Sequence, residues 1–176
     1  MEQLRGIKLK RFNRDQERPK ISMVLILDNL QYARNVAEVF RIADATKVIK
    51  IILTGGCPKP PFGKELQKVS RTKERSVNWE YYDNSIAAVA KLKSQGYIVV
   101  AVEITDTAED IKKFSANLKT DKVAFIVGNE VNGLGRGVLA KVDKAVYLPM
   151  FGKGASLNVA VSCAIAIYTL ILGKQS

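Results

Sequence analysis

Histidine is absent from all 176 residues, and cysteine occurs only twice, at Cys57 and Cys163. Without an imidazole there is no Ser/His/Asp triad, no histidine-ligated zinc and no ring nitrogen to exchange protons near neutral pH. Two cysteines far apart in sequence, outside any CxxC pair, cannot complete a zinc site; they read as free thiols in a reducing compartment, a nucleophilic Cys57 being the minor alternative. The acids are scattered rather than grouped at metal-binding spacing, so no metal is expected. Long apolar runs are lacking too. The longest, residues 159–172, includes Ser162 and Thr169 and falls short of the ~20 residues a membrane span needs, so it reads as a buried helix. The first 20 residues have no apolar core of the kind a secretory signal requires, and their acids argue against a mitochondrial presequence. These exclusions leave a cytoplasmic chain of one domain. Any catalysis must rest on Arg, Lys, Tyr, Asp, Glu or the ligand itself.

What the chain has in excess is positive charge, 28 Lys and Arg against 17 Asp and Glu, a net +11. It is unevenly placed. Residues 1–20 hold seven basic and three acidic side chains and residues 59–75 hold six and two, whereas residues 76–129 hold six and seven. Concentration in two segments points to a face for a polyanion, nucleic acid before lipid, because neither segment has the strong apolar face of an interfacial helix. Basic tails that merely keep a small protein soluble are the plainer alternative.

Short β-rich runs alternate with helical patterns. Residues 23–28, 48–53, 97–102, 123–127 and 145–149 read as buried strands, and residues 33–45, 85–95 and 156–172 as helices, the pattern of an α/β domain around a mostly parallel sheet. The aromatic stretch 79–84 reads as a half-buried strand, with base stacking as the lesser reading. In such a sheet ligands bind beyond the carboxyl ends of the strands, and "GNEVNGLGRG", residues 128–137, follows one of them directly. The loop is not a Walker loop, since Gly133 precedes Leu134 rather than Lys-Ser/Thr. It is not a dinucleotide turn either, because its G-x-G-x-x-A pattern starts eight residues past the strand and no acid follows about twenty residues on. Glu130 would repel a bare phosphate. After the last strand, Ser156, Leu157 and Asn158 stand at the entrance of the C-terminal helix, where Ser156 serves as an N-cap and Asn158 falls in the first turn. That helix is apolar almost all round, more than a core of this size can wrap, and a homodimer follows.

Three segments together resemble the SpoU family of RNA ribose 2′-O-methyltransferases, in the SPOUT superfamily, over nearly the whole chain after the basic N-terminal segment. "LDNLQYARNVAEVFRIADA" matches a first motif through Asn35 and Arg41, "FIVGNEVNGLG" a second, and "LPMFGKGASLNVAV" a third. Ala37 and Val131 stand where glycine is common, and Thr46-Lys47 where an aromatic-Gly pair is usual. The resemblance implies a SPOUT domain over residues 21–176, with residues 1–20 as part of it or as a flexible arm, and a C-terminal trefoil knot, which periodicity could not predict. It implies S-adenosylmethionine as cofactor, held by Val127, Gly128, Asn129, Leu148, Met150, Ser156, Leu157 and Asn158, with Glu130 bracing the site or meeting a partner subunit. It also implies an RNA substrate, tRNA favoured over rRNA, with Arg41, Asn35, Ser156 and Asn158 as catalytic residues.

Arg41 makes a poor base, because a guanidinium titrates above ~12 and has no free lone pair. Binding the phosphate beside the target ribose suits it better. Six helical residues turn through about 600°, so Asn35 and Arg41 point roughly 120° apart. They converge only if Asn35 sits at the helix entrance, or they serve different subunits' sites. A relative that binds RNA without turnover, or one that methylates a base nitrogen, remains open.

Overall fold

The computed structural model describes residues 1–174; the last two residues of the expected 21–176 domain lie outside the described residues. In chain order the elements are α1 (Gly6–Arg14), β1 (Ser22–Asp28), α2 (Ala33–Thr46), β2 (Lys50–Thr54), α3 (Lys64–Ser70), a 3₁₀ turn (Lys73–Arg75), β3 (Trp79–Tyr82), α4 (Ser85–Ser94), β4 (Ile98–Val102), β5 (Glu109–Asp110), α5 (Ile111–Asn117), β6 (Lys122–Val127), α6 (Arg136–Leu139), β7 (Lys144–Tyr147) and α7 (Val159–Gly173).

The strands form one sheet in the order β3-β2-β1-β6-β4-β7-β5, and every pairing is parallel. β1 lies inside the sheet beside the central β6, with Leu25 opposite Ile51 on one side and Phe125 on the other. Its apolar residues serve both faces, as the two-residue strand period requires. Met23, Leu25 and Leu27 pack under α2, α5 and α7, while Val24 and Ile26 pack under α4 with Leu134. Because both faces are covered, the strand is a continuous apolar run rather than an alternating one. β2 continues away from β1 in one direction and β6 in the other, so the chain reverses direction across the sheet between β1 and β6. Such a switch point opens a crevice at the carboxyl ends of the strands.

α2 forms where Val36, Val39, Phe40 and Ala43 recur at three and four residues, and all four are fully buried against the sheet. Phe40 meets Phe62 edge to face at 5.6 Å, an arrangement favoured by the ring quadrupole. The helix ends at Lys47, which takes φ 57° and ψ 33°, the left-handed conformation that favours glycine.

Three expectations need correction. The C-terminal helix begins at Val159, not Ser156: Asn158 is its N-cap, and its Oδ1 accepts from the amides of Ala160 and Val161 at 2.9 and 3.3 Å. Asparagine does this at least as well as serine, and that choice leaves Ser156 in the loop. β2 begins at Lys50 rather than residue 48, since Val48 is still folded back onto Ala43 of α2 through its amide at 3.0 Å. Within residues 59–75 a short helix, α3, stands where only a basic segment was read.

α7 is apolar on every side, yet only part of it is covered. Ala160, Cys163, Ala166, Ile167, Leu170 and Ile171 are buried, whereas Val161, Ile165 and Tyr168 remain 39–46% exposed. Among the described residues no helix is long and apolar enough to cross a membrane.

Candidate active site

At the carboxyl ends of the central strands lies a cavity of about 480 Å³, formed by the loops after β1, β4, β6 and β7 and by the start of α7. Val127, Gly128, Asn129, Leu148, Met150, Ser156, Leu157 and Asn158 all line it, as do Asn35 and Glu130. Arg41 does not. Its side chain is exposed and has no ion pair or hydrogen bond among the described residues, for the two acids three residues away along the helix are taken, Glu38 by Arg34 at 3.1 Å and Asp44 by Lys73 at 2.9 Å. Asn35 sits in the first turn of α2, and Arg41 lies six residues on, about 9 Å along the axis and about 120° around it. One chain therefore does not bring the two together.

The loop after β6 is shaped by its own side chains. Asn129 accepts from the amides of Val131 and Asn132 at 3.0 and 3.1 Å and donates to the Asn29 carbonyl at 2.8 Å. The Gly133 amide returns to the Asn129 carbonyl at 2.9 Å. This reversal lays Gly133 and Leu134 directly on Gly128. A Cβ at Gly128 would stand 2.5 Å from the Leu134 nitrogen and 2.6 Å from the Gly133 oxygen, distances no side chain tolerates, so the backbone itself forms the wall. Gly133 has φ 63°, and a Cβ there would meet a carboxylate oxygen of Glu103 at 2.5 Å.

Three elements are joined by one relay of hydrogen bonds. Glu130 accepts from the amides of Gln31 at 2.9 Å and Tyr32 at 3.2 Å and from Asn35 Nδ2 at 2.8 Å. Asn35 Oδ1 in turn accepts from Asn158 Nδ2 at 2.9 Å. The entrance of α2, the β6 loop and the cap of α7 are thus locked to one another, and each amide is oriented by its neighbour. Burial alone would raise the Glu130 carboxyl, but hydrogen bonds from Gln31, Asn35 and Tyr32 outweigh it and hold it below the ordinary value of 4.5. A depressed carboxyl contributes stability above its unfolded-state value and loses it as pH falls through the folded one. Thermal unfolding followed from pH 6 to 3 is expected to show a steeper acid limb for the wild type than for Glu130→Gln, which starts lower because an amide nitrogen cannot accept a backbone proton.

Glu103 is the residue that sequence reasoning missed. It follows β4 immediately, lines the cavity, and accepts from the Leu134 amide at 3.1 Å. An acid at the carboxyl end of an apolar strand was the available signal. Cys57, by contrast, is structural: 3% exposed, it donates to the Leu27 carbonyl and accepts from the Leu30 amide, both at 3.1 Å, and burial raises its thiol. A neutral, buried thiol is a poor nucleophile. The aromatics of β3 are half-buried within the sheet, as a strand requires.

The residues present suit a cationic nucleoside better than a polyphosphate. The cavity has the size of a small-molecule site, apolar walls from Val127, Val146, Leu148 and Leu157, and a backbone wall at Gly128 that admits a planar base closely. Among the described residues, two carboxylates, Glu103 and Glu130, and no lysine or arginine line it.

The model of the SpoU rRNA Methylase family matches residues 22–168. The tRNA (guanosine(18)-2′-O)-methyltransferase of Borreliella burgdorferi is 26% identical over 170 residues, covering 93% of this chain and 77% of its own. The Aquifex aeolicus TrmH/SpoU tRNA modifying enzyme superposes with a TM-score of 0.78 at 23% identity, over 95% of this chain and 82% of that one. An AdoMet-bound rRNA methyltransferase from Sinorhizobium meliloti superposes with a TM-score of 0.77 at 23% identity, over 90% and 59%.

Proposed function

The chain belongs to the SpoU rRNA methylase family, and from that membership we propose that the cavity bounded by Gly128, Leu148 and Asn158 is where S-adenosylmethionine binds for methylation of RNA. The protein is an S-adenosylmethionine-dependent RNA 2′-O-methyltransferase. The observation that carries the assignment of the site is the fold of the 128–134 loop onto itself, which turns bare backbone toward a cavity free of basic side chains. When bound, the cofactor would supply an electrophilic methyl carbon on a sulfonium, whose C–S bond would break as the ribose O–C bond forms, leaving a neutral thioether.

Val127, Leu148 and Leu157 would hold the cofactor's base, with the Gly128 wall offering backbone polar groups, and Met150 and Ser156 line the same cavity. Asn35 and Asn158, each held by the relay from Glu130, keep that opening in one shape and leave little freedom for a misplaced ribose. The incoming 2′-hydroxyl must lose its proton as the O–C bond forms. Arg41 cannot take it; its guanidinium binds the phosphate next to the target ribose, orients the hydroxyl and stabilises the developing alkoxide, and the proton leaves to phosphate or water. Since Arg41 does not line its own cavity, it serves the cavity of a second copy.

A homodimer built on α7 supplies that second copy. Val161, Ile165 and Tyr168 recur at four and three residues and form an exposed apolar stripe beside the cavity's Leu157, the spacing of a helix seam. Val161→Glu with Ile165→Glu is expected to give a folded species with the mass of one 19.4 kDa chain in sedimentation, with loss of methylation. A dimer that persists would place the interface elsewhere. The substrate reading favours tRNA over rRNA, because the tRNA enzyme above is matched over most of its length. Calorimetric titration with S-adenosylmethionine, with the mass recorded on the same sample, tests the site: saturation near one cofactor per chain or per dimer is expected, and a folded dimer that binds none would contradict it.

A further inference from the structure

Two consecutive residues, Arg71 and Thr72, hold left-handed backbone conformations at φ 54° and 61°. Neither is glycine, and a β-branched residue there is a clear outlier. The conformation is enforced from below. Ser70 is fully buried and its hydroxyl donates to Glu74, itself 6% exposed, at 2.5 Å. The same hydroxyl accepts from the Thr72 amide at 3.2 Å, and Thr72 Oγ1 donates to the Arg71 carbonyl at 2.7 Å. The turn is thus anchored in the core while its crest, Arg71, Thr72 and Arg75, stands in solvent.

The charge on this crest is not balanced locally. Glu65 is paired with Lys68 at 2.6 Å, and Asp44 with Lys73 at 2.9 Å. Glu74 is buried beneath the turn. Lys64, Arg71 and Arg75 are left without an ion pair among the described residues. The Lys73–Asp44 pair also fixes the turn against α2, one helical turn beyond Arg41, whose guanidinium is likewise unpaired.

We propose that the α3–3₁₀ turn is an RNA-phosphate contact, in which Arg71 and Arg75 hold the backbone on the side of α2 that carries Arg41. The inference rests on the reading of the substrate as RNA. Glycine would relax the backbone at position 71, so the arginine there costs local stability while placing a charged side chain in solvent. Left-handed strain of this kind gathers where a segment is held for binding, and a phosphodiester backbone is the polyanion that the substrate offers to paired guanidinium groups.

The test sets stability against binding. Arg71→Gly is expected to raise Tm by roughly 2–4 °C, yet to weaken RNA binding by roughly fivefold near 0.15 M salt and to reduce the slope of log K against log salt by about 1. Arg71→Asn, which tolerates the left-handed region without the charge, should lose the same binding. Thr72→Gly should gain stability and leave binding unchanged, and S-adenosylmethionine affinity should be the same in all three. Unchanged RNA affinity and salt slope in both Arg71 variants overturns the proposal while the methyltransferase reading stands. A shift of the Arg71 variants toward monomer overturns it in favour of a protein contact. A wild type that binds no RNA overturns both.

Discussion

Arg41→Ala lowers turnover by about 10²-fold or more while S-adenosylmethionine affinity stays within about twofold, as expected of a group that acts in the transition state rather than in binding. Arg41 is exposed, unpaired among the described residues, and absent from the cavity wall of its own chain. Its removal leaves neither a buried charge nor a cavity, so the fold should be unaffected within about 0.5 kcal/mol. Lysine should restore little, since a point charge cannot replace a planar fork on a phosphate. If Arg41 serves a second copy, as proposed, the defect should be complemented in trans. An equal mixture of Arg41→Ala chains and Leu148→Trp chains, the latter with the cavity filled, should recover about a quarter of wild-type activity, since half the dimers are mixed and each has one working site. No recovery, with exchange of chains verified, would place Arg41 in its own subunit's site. Equal loss of cofactor affinity would remove it from the transition state.

Gly128→Ala should weaken cofactor binding by about 100-fold or more. The added methyl would meet the Leu134 nitrogen at 2.5 Å and the Gly133 oxygen at 2.6 Å, with the Gly133 carbonyl carbon closer still. All three are backbone atoms, which cannot swing aside as a side-chain tip can. The loop must therefore open, breaking the Leu134 contact with Glu103 and the return from Gly133 to Asn129. Overpacking of this kind costs typically about 1–3 kcal/mol, so a lowered Tm should accompany the loss. Gly135→Ala is the matched control: its φ is −65° and nothing lies within 4 Å of an added Cβ. It should bind the cofactor as the wild type does. Normal binding by the Gly128 variant would mean that this wall is not the cofactor's.

The parts of this architecture legible in the sequence are those governed by local pattern. Continuous apolar runs announced β1, β2, β4, β6 and β7, because strands covered on both faces need no alternation. Helix α2 was legible in the spacing of Val36, Val39, Phe40 and Ala43. The order of the strands was not, since nothing near residues 122–127 states that they lie between β1 and β4; that follows from contacts about a hundred residues away. Helices α3 and α5 were obscured by length, as seven residues carry too little periodicity to stand out. The entrance of α7 was misread by three residues because Ser156 and Asn158 are both good caps, and the choice was made by the Asn158 bond to Asn35 across the fold. Glu103 escaped for a related reason: its role depends on Gly133 arriving beside it from thirty residues on.

Within the cavity, the eight residues named from the third and second motifs stand together because the loops leaving β6 and β7, on either side of β4, and the entrance of α7 meet at the same end of the sheet. Arg41 stands apart, and only the 100° step of the helix foretold it. That separation is why the account requires two chains for one reaction.

Incubation of the protein with methyl-labelled S-adenosylmethionine and either unfractionated tRNA or rRNA, followed by digestion to nucleosides and mass spectrometry, distinguishes ribose methylation from base methylation and from no turnover. The account predicts label in a single 2′-O-methylated nucleoside, with the methyl on the ribose fragment. Label on a base fragment, or no label from a dimer that binds cofactor and both tRNA and rRNA, would contradict it.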